Sequence, residues 1–539
     1  MPADLDVLIV GAGPTGLSLA VQLERWGLRF RIVDALTSRH TESRALAVHA
    51  RSLEVLDTIG VAEPLVARGR RALRVQLYPG SGPPVVLALA DGPVAGTRFP
   101  FVLFVSQAET EAVLVSWLDA RGVTVARGCR ASIEAEDDGG VTCRLAHAER
   151  DEIVTARYVV GCDGAHSTVR HAAGVAFDGG DYPQSFMLAD VEADDALATD
   201  AAHVFPGIGG GLGLLPLGRP RTWRVIAIGV PETDGDRDPD PGRELSTLQA
   251  FAAATTGRSL GLHDAAWITR FRLHHRQALS YRRGPFFLAG DAAHIHSPAG
   301  GQGMNTGIQD AWNLGWKLGL VCGGLAPEAL LDSYHDERWP VGRFLLRFTD
   351  RLFGLVTRAI VRGSLAARLR DAVLRRLLPV AAASASVRRR GFHLVSQLGI
   401  RYRSSPAVRE GVPRLTCGPR AGDRLPDLPL HAEGADTSLQ RLVRAPAFHL
   451  LWCGDAPVPT AVEAVTARRP MSVHVLPADG HAANDAALAA LGVVPPVTGA
   501  HYLVRPDGHV AYRAAGHDLV GLSLYLDRWL PQQADAAAS

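Results

Sequence analysis

Apolar residues open this chain in an unbroken run and then shift to helical spacing. Residues 7–10 (VLIV) read as a short buried strand. Residues from about 14 to 26 carry the 3.6-residue period, and residues 30–33 are apolar again up to Asp34. Between the first strand and the helix stands Gly11-x-Gly13-x-x-Gly16, with Pro14 and Thr15 inside it. The pattern predicts a βαβ unit with a dinucleotide fingerprint. Gly11 permits the tight turn, Gly13 lets backbone approach a pyrophosphate, and Gly16 lets helix and strand pack closely. The helix start offers unpaired N–H groups and partial positive charge. Asp34 lies where an acid can take ribose hydroxyls.

Strand-like, Pro- and Gly-punctuated sequence fills residues 73–103, and helical period returns at 109–120. Strands are expected around 123, at 132–136 and 141–145 across a DDGG turn, and at 153–161. From 176 to 277 the pattern is mostly β, with an exposed loop at DGDRDPDPGRE. A core strand at 286–290 precedes a helical zone from about 303 to 398. Pro and Gly at 411–427 suggest a linker, and a last α/β segment follows. No internal repeat is evident.

The length of 539 residues implies two or three domains. The 56 basic and 55 acidic residues nearly balance, which argues against nucleic acid or an anionic membrane surface as partner. No apolar run is long enough to span a bilayer and no signal peptide is seen, so the expectation is a soluble cytoplasmic protein. Six cysteines without metal or CxxC spacing read as free thiols, and no metal is expected.

Two further motifs narrow the chemistry. YVVGCDGAHSTVR (158–170) takes a strand into a polar turn and a short helix capped by Ser167. FLAGDAAHIHSPAGGQGMNTGIQDAWNLGWKL (287–318) ends a buried strand at Gly290-Asp291, runs through a glycine-dense loop, and begins a helix near Gln302. A carboxylate at a strand end suits a polyol, and the helix start can face developing negative charge.

The three motifs together resemble the FAD-dependent aromatic hydroxylases, single-component flavoprotein monooxygenases with the p-hydroxybenzoate hydroxylase fold. The likeness is greatest to the aromatic polyketide and phenol hydroxylase branch. It implies an α/β FAD-binding domain (1–72 with 104–175 and 278–400), a β-rich substrate domain (73–103 with 176–277) and a thioredoxin-like α/β domain (411–539). Without CxxC, the last is expected to serve packing or oligomerisation, and a homodimer is an expectation.

The resemblance also implies roles. Gly11, Gly13 and Gly16, with Pro14 and Thr15, would cradle the pyrophosphate of non-covalent FAD, and Asp34 the adenosine ribose. Arg44 and Gln107 match FAD-contacting positions. Asp163 supports the pyrophosphate region, and Gly290 and Asp291 the ribityl chain. Pro298 and the run Gly301, Gln302, Gly303, Met304 and Asn305 would lie against the isoalloxazine ring. His294 and His296 are expected to be structural, and Trp312 and Trp316 core. No general base is identified. Phe186, Met187, Leu214 and Trp223 are candidates for an apolar substrate pocket.

The implied activity is a monooxygenase using O2 and NAD(P)H, a transient co-substrate, through a flavin C4a-hydroperoxide. Its substrate would be a bulky phenolic or polycyclic aromatic compound, first an aromatic polyketide of antibiotic biosynthesis. Alternatives are catabolic phenol hydroxylation, Baeyer–Villiger oxygenation, antibiotic inactivation and, in another class, a non-catalytic flavin- or ligand-binding scaffold.

Overall fold

A computed structural model of the chain describes residues 3–532 other than 40–44, 73, 80–82, 89–95, 138, 208–209, 232–240, 297–299, 359–375, 377–383, 433, 455–457, 459, 468 and 517–518. Arg44 and Pro298 therefore lie outside the described residues.

The first apolar run becomes strand Leu5–Val10, the periodic segment becomes helix Pro14–Arg25, and the next run becomes strand Phe30–Asp34. Leu5–Val10 pairs in parallel with Phe30–Asp34 on one side and with Asp151–Gly161 on the other. Phe286–Leu288 and Ala126–Arg127 extend the parallel order at the two ends. That last strand stands a few residues beyond the expectation near 123. Val7, Leu8 and Ile9 are fully buried, as a central strand covered on both faces requires. Helices Pro14–Arg25 and Gly303–Cys322 pack together; Gly315 and Gly319 fit against Gln22 and Trp26, where a Cβ would come within 2.4 Å of either side chain.

Strands between Phe177 and Ala278 make up most of a second, mostly antiparallel sheet, in which the long strands Phe177–Ala193 and Leu262–Ala278 are neighbours toward one edge. Arg74–Leu77 and Val85–Ala88 join its edge. Helix Pro241–Thr256 covers one face of this sheet. The strand-dominated pattern did not announce that helix, whose Ala-rich LQAFAAATT carries high helix propensity inside a β-rich block.

A third sheet runs Arg409–Glu410, Val510–Ala515, Gly499–Val504, Phe448–Gly454, Met471–Leu476. Its residues Phe448, Trp452, Leu503 and Tyr512 belong to the same continuous core as the first sheet. Residues 411–427 are irregular yet bound in: the Gly422 N–H donates to Val510 O at 2.8 Å, and Leu415 and Leu425 are buried. The expected linker is thus a packed strap. Among the described residues, no helix is long and apolar enough to cross a membrane.

Candidate functional site

Parallel register brings the three turns to one level. Val10 lies opposite Val33 on one side and Gly161 on the other, and Gly161 lies opposite Leu288. The chain leaves the sheet just after each of these residues, at Gly11, Asp34, Asp163 and Gly290-Asp291. All stand at carboxyl ends of adjacent strands, where open α/β sheets take ligands.

The three glycines of the first turn differ physically. Gly11 has φ +102°, and a Cβ there would sit 2.4 Å from the Cys162 carbonyl oxygen. A Cβ at Gly16 would sit 1.9 Å from the Gly11 oxygen. At Gly13 nothing lies within 4 Å, so open space adjoins the N-terminus of the helix that Pro14 begins. The protein's own packing demands the outer two glycines and places no steric demand on the middle one. Thr15 lodges between the two helices, its hydroxyl where a Cβ at Gly290 or Gly307 would fall.

The Asp34 carboxylate accepts the Ala12 N–H (2.8 Å) and the Leu36 N–H (2.9 Å), fixing the glycine turn beside it. Arg127, paired with Asp34 across the strands, approaches it to 4.0 Å and keeps a buried Nη2 without a protein partner. Helix Thr168–Ala172 is capped by Ser167, whose hydroxyl accepts the Arg170 N–H (3.0 Å), and Asp163 Oδ2 accepts the Thr168 N–H (2.7 Å) and hydroxyl (2.8 Å) at the same end. Asp163 Oδ1 is buried with no protein partner. An open helix start, an unpartnered carboxylate oxygen and an unpartnered guanidinium nitrogen at one edge fit the ribose and pyrophosphate of FAD.

The glycine-dense loop is held from behind. Asn305 Nδ2 donates to Ala47 O (2.7 Å) and Gly301 O (2.8 Å), and its Oδ1 accepts the His49 N–H (2.8 Å). His49 Nε2 meets Gly300 O at 2.9 Å. Burial pushes the His49 imidazole down to about 4, against the pull of those carbonyls. Gln302 donates to Val395 O (3.1 Å) and accepts from Gln397 (2.6 Å). With these amides committed to protein and Met304 in the core, the loop's offering to a ring is backbone. The first intrahelical donor is the Thr306 N–H, to Gln302 O at 2.9 Å, so the N–H groups of Gly303, Met304 and Asn305 precede it. Gln107 starts helix Gln107–Asp119, and its N–H reaches Ala45 O (3.1 Å) in the same 45–49 segment.

Beneath the loop lies a polar cluster that sequence reasoning missed. Asp310 Oδ2 accepts the Gly290 N–H (3.0 Å) and meets His294 Nε2 (2.7 Å), and its Oδ1 receives Arg338 Nε (2.6 Å). Burial raises the Asp310 carboxyl, but Arg338 and His294 outweigh it and hold the group below its ordinary range. The signal was present: Thr306, Asp310, Asn313 and Lys317 form one polar stripe on an otherwise buried apolar helix. His294 is thus buried and bound to Asp310 behind the glycine loop. Trp312 and Trp316 are core residues, 2% and 1% exposed.

The substrate-side expectation needs revision for Met187, Leu214 and Trp223, while Phe186 shares the face of Ile226 and Leu215. Met187, Leu214 and Trp223 face helix Pro241–Thr256 in that sheet's own core. Phe186 is on the other face with Ile228 and Phe271. Period-2 alternation puts Leu215 and Ile226 toward Leu46, Ala47 and Phe104, on the side of the glycine loop. There Arg224 grips Asp190 through two hydrogen bonds (2.7 and 2.8 Å) and donates to Ala45 O at 3.0 Å.

Residues 4–349 match the FAD binding domain family, and residues 418–532 match the aromatic-ring hydroxylase C-terminal family. Among curated relatives, 6-methylpretetramide 4-monooxygenase of Streptomyces rimosus is 34% identical over 531 residues, covering 95% of this chain and 91% of that protein. Pentachlorophenol 4-monooxygenase of Sphingobium chlorophenolicum is 34% identical over 432 residues, 79% of this chain and 76% of its own. Among solved structures, the ternary complex of aklavinone-11 hydroxylase with FAD and aklavinone superposes with a TM-score of 0.77 at 27% identity, over 99% of this chain and 100% of that one.

Proposed function

Because this chain belongs to the FAD-dependent aromatic-ring hydroxylases, we propose that its substrate is a bulky phenolic, polycyclic aromatic compound of the polyketide type. The enzyme is a flavoprotein monooxygenase that draws electrons from NAD(P)H. When bound, FAD supplies the electrons that activate oxygen for transfer to an aromatic carbon.

The chain's own residues would bind and orient. Gly13 and the helix start would take the pyrophosphate, Asp34 the ribose, Asp291 the ribityl chain, and the N–H groups at 303–305 negative charge on the ring. The Asn305 and Gln302 anchors hold those N–H groups in place, so little reorganisation accompanies charging. The observation that carries the substrate assignment is that Val75, Leu215 and Ile226, on one face of the second sheet, are apolar and only partly buried where they border the 45–47 segment that Asn305 grips. Apolar side chains beside the glycine loop suit the flat apolar surface of fused rings. In support, the 6-methylpretetramide and aklavinone enzymes are named for polycyclic substrates. Catabolic phenol oxidation is the second reading, favoured by the pentachlorophenol relative. O2 as co-substrate, the cytoplasm as location and a thioredoxin-like fold for the third sheet belong to this reading as well.

The test is NAD(P)H oxidation by the FAD-loaded protein across a panel of polycyclic and single-ring phenols. Strong stimulation by the polycyclic set, with a product heavier by one oxygen, is expected. Stimulation by single-ring phenols alone would transfer the assignment to the second reading.

A further inference from the structure

The turn of the hairpin between Gly499–Val504 and Val510–Ala515 reaches out of the third sheet and enters the notch between helices Gly303–Cys322 and Asp332–Arg358. Arg505, fully buried, grips both oxygens of Glu337 (2.6 and 2.9 Å) and pairs with Asp507. The same Glu337 receives Lys317 (2.9 Å), Asn313 (2.6 Å) and Ser405 (2.7 Å). Burial pushes Glu337 up, but Arg505 and Lys317 overcome it and hold it well below the carboxylate range. Four formal charges, two of each sign, are thus locked between the third sheet and the flavin-facing helix.

Two routes lead from Arg505 to the helix start. Glu337 directly precedes Arg338, which donates to Thr306 O (3.1 Å) in the helix's first turn and to Asp310. The Arg505 guanidinium also lies between the rings of Trp316 (5.0 Å) and Tyr402 (5.3 Å), and the Tyr402 hydroxyl accepts Arg338 Nη1 (2.9 Å). Asp310 in turn holds the Gly290 N–H. An apolar plug would stabilise the junction as well or better, since buried ion pairs rarely outperform packed hydrocarbon. What fixed charges with paired hydrogen bonds add is angular definition.

We propose that the 505–508 turn is a positioning element for the flavin site and that Arg505 is the positioning residue through which the C-terminal sheet sets the start of helix Gly303–Cys322. The inference rests on the FAD monooxygenase reading, and it gives the third sheet a role in catalysis without contact to the reactants.

The test compares full-length wild type with Arg505→Met and Arg505→Lys. Readouts are the FAD dissociation constant, the visible spectrum of bound FAD, and the share of NAD(P)H oxidation that ends in hydrogen peroxide at full FAD loading. Expected for Arg505→Met are a rise of at least tenfold in the dissociation constant, an altered spectrum and a several-fold larger peroxide share. Arg505→Lys, which keeps charge but loses the two-pronged grip, should fall between the two. It carries the test alone if Arg505→Met does not fold. Reduced thermal stability with unchanged FAD affinity, spectrum and peroxide share would overturn the proposal, because that is what mere packing gives. A wild type inert toward every aromatic would sink the activity assignment while leaving the FAD affinities to judge this one.

Discussion

Arg338 and Asp310 meet without access to solvent, Nε 2.6 Å from Oδ1, directly behind the turn that carries Asp291. The pair ties the end of one core strand to helix Gly303–Cys322, whose start is the proposed flavin contact. Removing only the cation strands a buried carboxylate, which costs about 3–5 kcal/mol. Arg338→Met should lose that much in denaturant unfolding. Arg338→Met with Asp310→Asn should lose less than the sum of the single variants; additive losses would show that the two are not coupled.

The glycine turn predicts opposite outcomes for two neighbouring substitutions. Gly13→Val meets open space in the protein and should fold but purify without FAD. Gly16→Val drives a side chain into the Gly11 carbonyl and should compromise folding itself. Flavin content and circular dichroism separate the cases, and a yellow Gly13→Val protein would place the pyrophosphate elsewhere.

Asp291→Ala should weaken FAD binding by a charge-assisted hydrogen bond, about 1.5–3 kcal/mol or roughly 10- to 150-fold in dissociation constant. Fluorescence titration of the flavin-free protein measures it. Unchanged affinity would remove the ribityl chain from this turn.

His49 predicts acid sensitivity. Folded, it accepts a proton only near pH 4; unfolded, near its ordinary 6.5. A base with a depressed folded value contributes stability that is complete above 6.5 and lost as pH falls through about 4. Melting temperature should therefore drop over that window more steeply in wild type than in His49→Gln. His449, also pushed down to about 4 by burial, acts equally in both proteins and cancels. Parallel curves would contradict the assignment.

Much of this architecture was legible in the chain. The spacing of Gly11, Gly13, Gly16 and Asp34 fixed a βαβ unit, and the strands ending at Gly161 and Gly290 had clear apolar runs. Their convergence was not legible from period alone, because it depends on parallel pairing between strands some 150 residues apart, Val10 with Gly161. Facing in the second sheet was not legible for a similar reason. Alternation shows that Trp223 and Arg224 point to opposite sides, but only the covering helix decides which side is core. Arg505 and Glu337 were unreadable as partners, since nothing local links a hairpin turn to a helix 168 residues earlier.

The most direct test of the central claim is a crystal structure of the protein with FAD. The account predicts one FAD along the edge of the parallel sheet, with its ribose at Asp34, its pyrophosphate over Gly13 and its ribityl chain at Asp291. Density for the flavin anywhere that leaves Gly13 and Asp291 uncontacted would contradict it.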